Sequence, residues 1–276
     1  SFLFYHCHES QLVLFQDDSR SDPLQMTDPL LVPTKLLDFD AAPLARLIEN
    51  RSWRGLSEYG RIGAAYDFVR NEIAFGYNRA DDIPASEVLS DGYGQCNTKG
   101  TLLMALLRGV GIRCRLHGFT IHKGLQRGVV PELVYPLAPQ EILHSWVEIE
   151  FQGAWINLEG FILDDAFLDV LQTSFSDTES LCGYGAGTDC LGAPPVAWNG
   201  EDTYIQKTGI VQDFGVFDTP DAFYSSHGQS FGWLRGALYR HIIRHWMNAR
   251  VRGLRSGRLK TDRRATHAHE EPANAT

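Results

Sequence analysis

The feature that most constrains this chain is a change of hydrophobic period inside residues 96–158. After Cys96, Leu102, Leu103, Leu106 and Leu107 recur at helical spacing, and the run stops near Gly109 or Gly111 with Arg108 in its last turn. Over 112–121 the period falls to two. Ile112, Cys114, Leu116 and Gly118 alternate with Arg113, Arg115, His117 and Phe119, the pattern of a strand. Residues 143–151 and 154–158 read as two further strands, closed by Gln152-Gly153 as a two-residue hairpin turn. A central helix followed by antiparallel strands buries both apolar faces against each other, which defines an α+β fold with the helix packed on the sheet.

Helical periodicity also covers 40–49 and 61–75, the second placing Ile62, Ala65, Phe68, Val69 and Ile73 on one face. Residues 77–93, rich in Asn, Asp, Pro, Ser and Gly, read as an irregular approach to Cys96. Residues 122–140 form a long connection. Segment 160–231 is aromatic, Gly-rich and weakly periodic, and a connection of that length tends to cover a substrate. An amphipathic helix is predicted over 233–251, with Trp233, Leu234, Leu238, Ile242, Trp246 and Met247 as its buried face and Arg235, Arg240, Arg244 and Arg250 largely off it. The predicted organisation is a peripheral segment over 1–22 and a single domain over 23–255. Within that domain lie a core over 61–165, an accessory segment over 166–231 and a basic helix over 232–255. A polar, disordered tail follows over 256–276.

Charge divides the chain. From Gly232 onward there are ten Lys/Arg and three Asp/Glu, whereas the preceding residues hold 15 and 31. The acidic body is a poor nucleic-acid surface, and the Arg-rich 232–255 helix suits either packing on that body or docking of an acidic protein. No stretch reaches the roughly 18 unbroken apolar residues of a membrane span. The opening residues lack a basic, apolar leader, so the expected location is the cytoplasm. The five cysteines are odd in number and sparse, as expected in a reducing compartment, although Cys182 and Cys190 flank a Gly-rich turn and would pair in an oxidising one.

Cys96 stands where the turn Gly92-Tyr-Gly-Gln opens directly onto a helix. Unpaired N–H groups and the dipole at a helix start stabilise a thiolate, and the same N–H groups can receive an oxyanion. Flanking glycines would let a substrate approach the sulfur. A cysteine nucleophile needs a base, and the base an orienting acceptor. Residues paired across the Gln152-Gly153 turn sum to about 305 in the simplest register. His144 and Glu159 sum to 303, so the hairpin brings an imidazole and a carboxylate together. Gln95, Tyr93 and Trp146 are candidates for oxyanion or substrate binding, and His117 and His122 could line the site from the neighbouring strand. His6, Cys7 and His8 have metal-ligand types but alternate faces in a strand, and no metal site or cofactor is expected.

Together, the 66–75 helix, Ala85-Ser-Glu-Val-Leu, Gly92-Tyr-Gly-Gln-Cys, Val110-Gly-Ile-Arg-Cys-Arg, His144-Ser-Trp-Val-Glu and Trp155-Ile-Asn-Leu-Glu resemble the transglutaminase-like (papain-like) superfamily. The resemblance covers roughly residues 61–165 in the order Cys, His, acid. It implies Cys96 as nucleophile, His144 as base and Glu159 as third member. Aspartate is usual at the third place, and Asp164 and Asp165 are alternative acids. The implied chemistry is acyl transfer through a thioester on Cys96. It would act on an amide or acyl substrate: a peptide, a protein side chain or a carrier-bound acyl chain. Hydrolysis or transamidation is the first expectation and a carrier-dependent amide synthase or Dieckmann-type cyclase the second. The competing class is a binding module that has kept the fold and lost activity.

Overall fold

The computed structural model describes residues 28–228 and 233–262. The chain enters through α1 (Ala42–Asn50), started by Pro43 in its first turn, and α2 (Glu58–Asp67), capped by Ser57 Oγ accepting from Gly60 N at 3.2 Å. A π-helical turn over Phe68–Glu72 extends α2. The approach to Cys96 is more regular than its composition implies. β1 (Ala74–Phe75) pairs in parallel with β2 (Tyr93–Gly94), and α3 (Ala85–Asp91) lies between them. Gly92 ends α3 at φ +68°, a conformation that favours glycine.

The central helix α4 (Cys96–Gly109) is buried on every side, polar residues included, so it is a core helix with no solvated stripe. Its polar groups find internal partners. Lys99 Nζ donates to the carbonyls of Arg70 and Ile162 at 3.1 Å each, and Arg108 donates to the carbonyls of Pro29, Val32, Cys114 and Asp218. Burial pulls the Lys99 pKa down to about 7.

The strands follow as β3 (Cys114–His122), β4 (Glu141–Phe151) and β5 (Ala154–Leu158). The hairpin has the predicted register, with Phe151 opposite Ala154 and Val147 opposite Leu158. Gln152 and Gly153 both take positive φ, 51° and 79°, as a type I′ turn requires. Leu143, Ser145 and Val147 face α4, where Ser145 Oγ donates to Asn97 Oδ1 at 3.0 Å and Val147 lies beside Gly100. His144, Trp146 and Glu148 occupy the other face, level with Phe119, His117 and Arg115 of β3.

Segment 160–231 departs from its reading as an irregular cover. It contains α5 (Asp165–Ser174), the small hairpin β6 (Leu181–Gly183) with β7 (Ala186–Thr188), β8 (Ile210–Phe217) and α6 (Pro220–His227). β8 pairs antiparallel with β3 and completes a four-stranded sheet of order β5-β4-β3-β8. α6 lies against that sheet at Gly118, where an added Cβ would sit 2.3 Å from the Phe223 ring. Gly118→Ala should therefore lower unfolding stability by about 1–3 kcal/mol through overpacking. Denaturant titration reads this directly, and a loss below 0.5 kcal/mol would mean the contact gives way freely.

The C-terminal helix is three pieces: α7 (Trp233–Leu238), a π-helical turn over Tyr239–Ile243, and α8 (Arg244–Arg255). Its predicted buried face is corrected in part. Met247 is buried as expected, but Leu238, Ile242 and Trp246 are exposed, and Tyr239, Ile243, Val251 and Leu254 pack on the body with Met247. The helix carries two adjacent apolar stripes, Leu238-Ile242-Trp246 and Tyr239-Ile243-Met247, and hydrophobic spacing alone does not decide which of them packs. The side chains of Trp233, Leu234 and Arg235 lie outside the described residues. Two arginines serve internal contacts: Arg250 Nε donates to Gly128 O, and Arg255 pairs with Asp164. Residues 256–262, predicted as part of a disordered tail, are instead held on the body: Asp262 N donates to Tyr184 Oη at 2.5 Å and Leu259 packs over Gly253. The 1–22 segment, the His6-Cys7-His8 group and residues 263–276 lie outside the described residues. Cys96, Cys114, Cys182 and Cys190 are free thiols, so Cys182 and Cys190 are not bridged. Among the described residues no helix is long and apolar enough to cross a membrane.

Candidate active site

Cys96 is the first residue of α4 and is 8% exposed. The helix start is fixed by a reciprocal cap in which Gln95 N donates to Thr98 Oγ1 at 3.1 Å. The glycines before the cysteine have jobs different from the one predicted. A Cβ on Gly94 would meet Thr98 Oγ1 at 2.7 Å and Lys99 Cγ at 2.9 Å, so Gly94 lets the first turn of α4 close. Gly92 serves the turn itself through its positive φ.

His144 and Glu159 are both fully buried and joined directly, His144 Nε2 to Glu159 Oε1 at 2.7 Å. Glu159 lies one residue beyond β5, diagonal to His144 across the hairpin, as the register arithmetic requires. Its second oxygen accepts from the backbone N–H groups of Ile205 and Gln206, each at 2.9 Å. Its own N–H reaches the Thr203 carbonyl at 3.0 Å. The carboxylate is thus held by the stretch 203–206, which carries no sequence motif and which the sequence reading passed over.

The other ring nitrogen of His144, Nδ1, is buried and makes no hydrogen bond among the described residues. Cys96 is nevertheless near enough to act on the ring. Burial opposes the imidazolium, but the neighbouring Cys96 and then Glu159 outweigh it, and the His144 pKa is pushed up to about 10.

The sign for stability follows. A folded-state pKa above the ordinary 6.5 gives stabilisation that is full below pH 6.5 and lost as pH rises through about 10. His144 ring resonances in an NMR titration should move near pH 10. In Cys96→Ala the midpoint should fall, because a charge that supports the imidazolium is gone. A wild-type midpoint below 7.5 would mean that the ring is not charge-supported.

A cavity of about 560 Å³ opens at Cys96. Gln95 and Asn97 line it beside the cysteine, and Gln95 Nε2 donates to Asp81 Oδ1 at 2.8 Å. Burial raises the Asp81 carboxyl, and the Gln95 and Asn97 side chains temper the shift. Tyr224 of α6 lines the same cavity, and its buried hydroxyl has no hydrogen-bond partner among the described residues. Burial, then the charges of Asp81 and Cys96, push its phenol well up. Asp81, Asn97, Gln206 and Tyr224 went unnoticed in the sequence; only Asn97, adjacent to Cys96, stood where a motif could have flagged it.

Other candidates sit elsewhere. Tyr93 packs over Gly76 and is not part of the cavity wall. Trp146 joins an aromatic cluster with Phe119, His117 and Tyr204 and does not line the cavity either. His117 bridges Glu148 at 2.6 Å and Asp213 at 2.8 Å, and His122 Nδ1 accepts from Gly124 N. The alternative acids are engaged in structure: Asp164 caps α5 and binds Arg255, and Asp165 pairs with Arg70 at 2.5 Å. Among the described residues no cluster of three or more His, Cys, Asp or Glu could hold a metal ion.

Residues 50–160 match the family described as the Transglutaminase-like superfamily, so this stretch is a transglutaminase-like domain of mixed helix and sheet. The match supports a cysteine-based enzyme in general, not a substrate. Among solved structures, similarity extends to a protein from Cytophaga hutchinsonii described as a "Putative Cysteine Protease". It is 18% identical and aligns over 49% of this chain and 42% of that one, with a TM-score of 0.36. The chain thus spans less than half the length of that relative. No curated protein matches the chain.

Proposed function

We propose that this protein is an acyl-transfer enzyme that works through a thioester on Cys96, with His144 as base and acid and Glu159 as the orienting carboxylate. The observation that carries this reading is the buried His144–Glu159 pair, whose remaining ring nitrogen has no hydrogen bond among the described residues while Cys96, at a helix start, is near enough to act on the ring. Cys96 Sγ attacks the carbonyl carbon as His144 holds the thiol proton. The carbonyl π electrons move to oxygen, where the N–H groups at the start of α4 are the available donors. On collapse the bond to the leaving amine or thiol breaks, and His144 returns the proton to that group. Water or an amine then attacks the thioester, His144 takes its proton, and the thiolate leaves.

The acceptor decides between hydrolysis and transamidation. Intact mass after mixing with amide and thioester substrates tests the shared step: an acyl adduct should appear and map to Cys96. Its rate of loss to water against added amine assigns the acceptor. No adduct with any acyl donor, in protein shown to be folded, would sink the reading.

A further inference from the structure

We infer that the acyl donor carries a bulky apolar body, seated in the cavity beside Cys96; this rests on the acyl-transfer reading above. The cavity holds about 560 Å³, within the range of pockets that bury a ligand of drug size and far beyond what an acetyl group fills. At roughly 30 Å³ per water in the liquid, it has room for on the order of ten to twenty water-sized groups.

Its wall is divided by chemistry. Arg79, Asp81 and Asp82 come from one segment, and Gln95 and Asn97 flank the cysteine. The rest of the lining mixes the rings of Phe75, Tyr77, Tyr224 and Tyr239 and the polar Gln126, Gln206 and Arg240 with a stretch of aliphatic wall. The 122–140 connection contributes Val130 and Val134, β4 contributes Ile142 and Leu143, and the C-terminal helix contributes Ile243 and Met247. The polar groups can orient a carbonyl and its leaving group, whereas the aliphatic wall gains only by covering apolar surface. The 160–231 segment, expected to cover a substrate, supplies only Gly185, Gln206, Tyr224 and Gly228 to the wall.

An apolar acyl body has two sources, a straight hydrocarbon chain and the side chain of an apolar aminoacyl group. The test takes acyl thioesters of N-acetylcysteamine in two arms: acetyl through dodecanoyl, and N-acetyl-glycyl, N-acetyl-leucyl and N-acetyl-phenylalanyl. The readout is the rate of adduct formation on Cys96 by intact mass with peptide mapping. Burial of each methylene should raise kcat/KM by about two- to fourfold until the cavity is full, so octanoyl, six methylenes longer, should exceed acetyl by roughly 60- to 4,000-fold. A rise along the first arm alone identifies a hydrocarbon chain; a rise along the second alone identifies an aminoacyl donor.

Val134→Trp narrows the wall at a half-buried position outside the catalytic groups and should shift the optimum to shorter or smaller acyl groups. Should that variant fold poorly, the wild-type series decides alone. Adducts that form at rates within threefold across both arms overturn the substrate inference and leave the acyl-transfer reading standing. Adducts with no member of either arm overturn both.

Discussion

Cys96→Ala should abolish the acyl adduct and lower turnover on the order of 10⁵–10⁶-fold, while leaving the fold in place. Losing the nucleophile of a coupled nucleophile–base–acid set costs about as much as losing the whole set, because the remaining members have nothing to activate. Sγ contributes little packing, since Cys96 lies at the cavity and the body of α4 is held by Leu102 through Leu107. Alkylation gives the same information without a substrate. Cys114 and Cys182 are buried, and burial pushes each thiol up to about 11, so neither should react with iodoacetamide at pH 6. Cys190 is exposed, so modification must be mapped by residue. Cys96 should be labelled well ahead of Cys114 at pH 6, and equal rates would end the claim that it is activated.

What the sequence disclosed and what it withheld have physical reasons. The β4–β5 hairpin was legible because a two-residue turn fixes the register of everything paired across it, and register alone brought His144 to Glu159. α4 was legible as a helix, but its Asn97, Thr98, Lys99, Thr101 and Arg108 conceal that it is buried on all sides, because polar side chains bonded to backbone look solvated in a hydropathy pattern. β8 was missed for the opposite reason. It is an edge strand with Val211 and Val216 exposed, so it lacks the alternation that marks a half-buried strand. The 203–206 support of Glu159 works through backbone N–H groups, which every residue but proline owns, and so leaves no trace in side-chain identity. The exposed Leu238, Ile242 and Trp246 show the limit of periodicity itself: a second apolar stripe, Tyr239, Ile243 and Met247, lies one residue on, and spacing alone does not say which of the two packs on the body.

Glu159→Gln should reduce acylation on the order of 10³–10⁴-fold with little change of volume. Glu159 Oε2 accepts two backbone N–H groups, so a glutamine there is driven to place its oxygen at that corner and its NH₂ toward His144. An NH₂ donating to Nε2 forces the ring proton onto Nδ1, the nitrogen free to serve Cys96, and a protonated Nδ1 cannot take the thiol proton. The opposite flip keeps the His144 contact but buries an NH₂ against two N–H donors, at about 1–3 kcal/mol of stability. Either arrangement also removes negative charge that supports the imidazolium, so the His144 midpoint should fall from about 10. A merely structural glutamate would lower the unfolding midpoint and leave both the His144 titration and the acylation rate per folded molecule unchanged. Near-normal acylation in folded Glu159→Gln would move the orienting role to another group. That group would not be Asp164 or Asp165, because their carboxylates are already bound to Arg255 and Arg70.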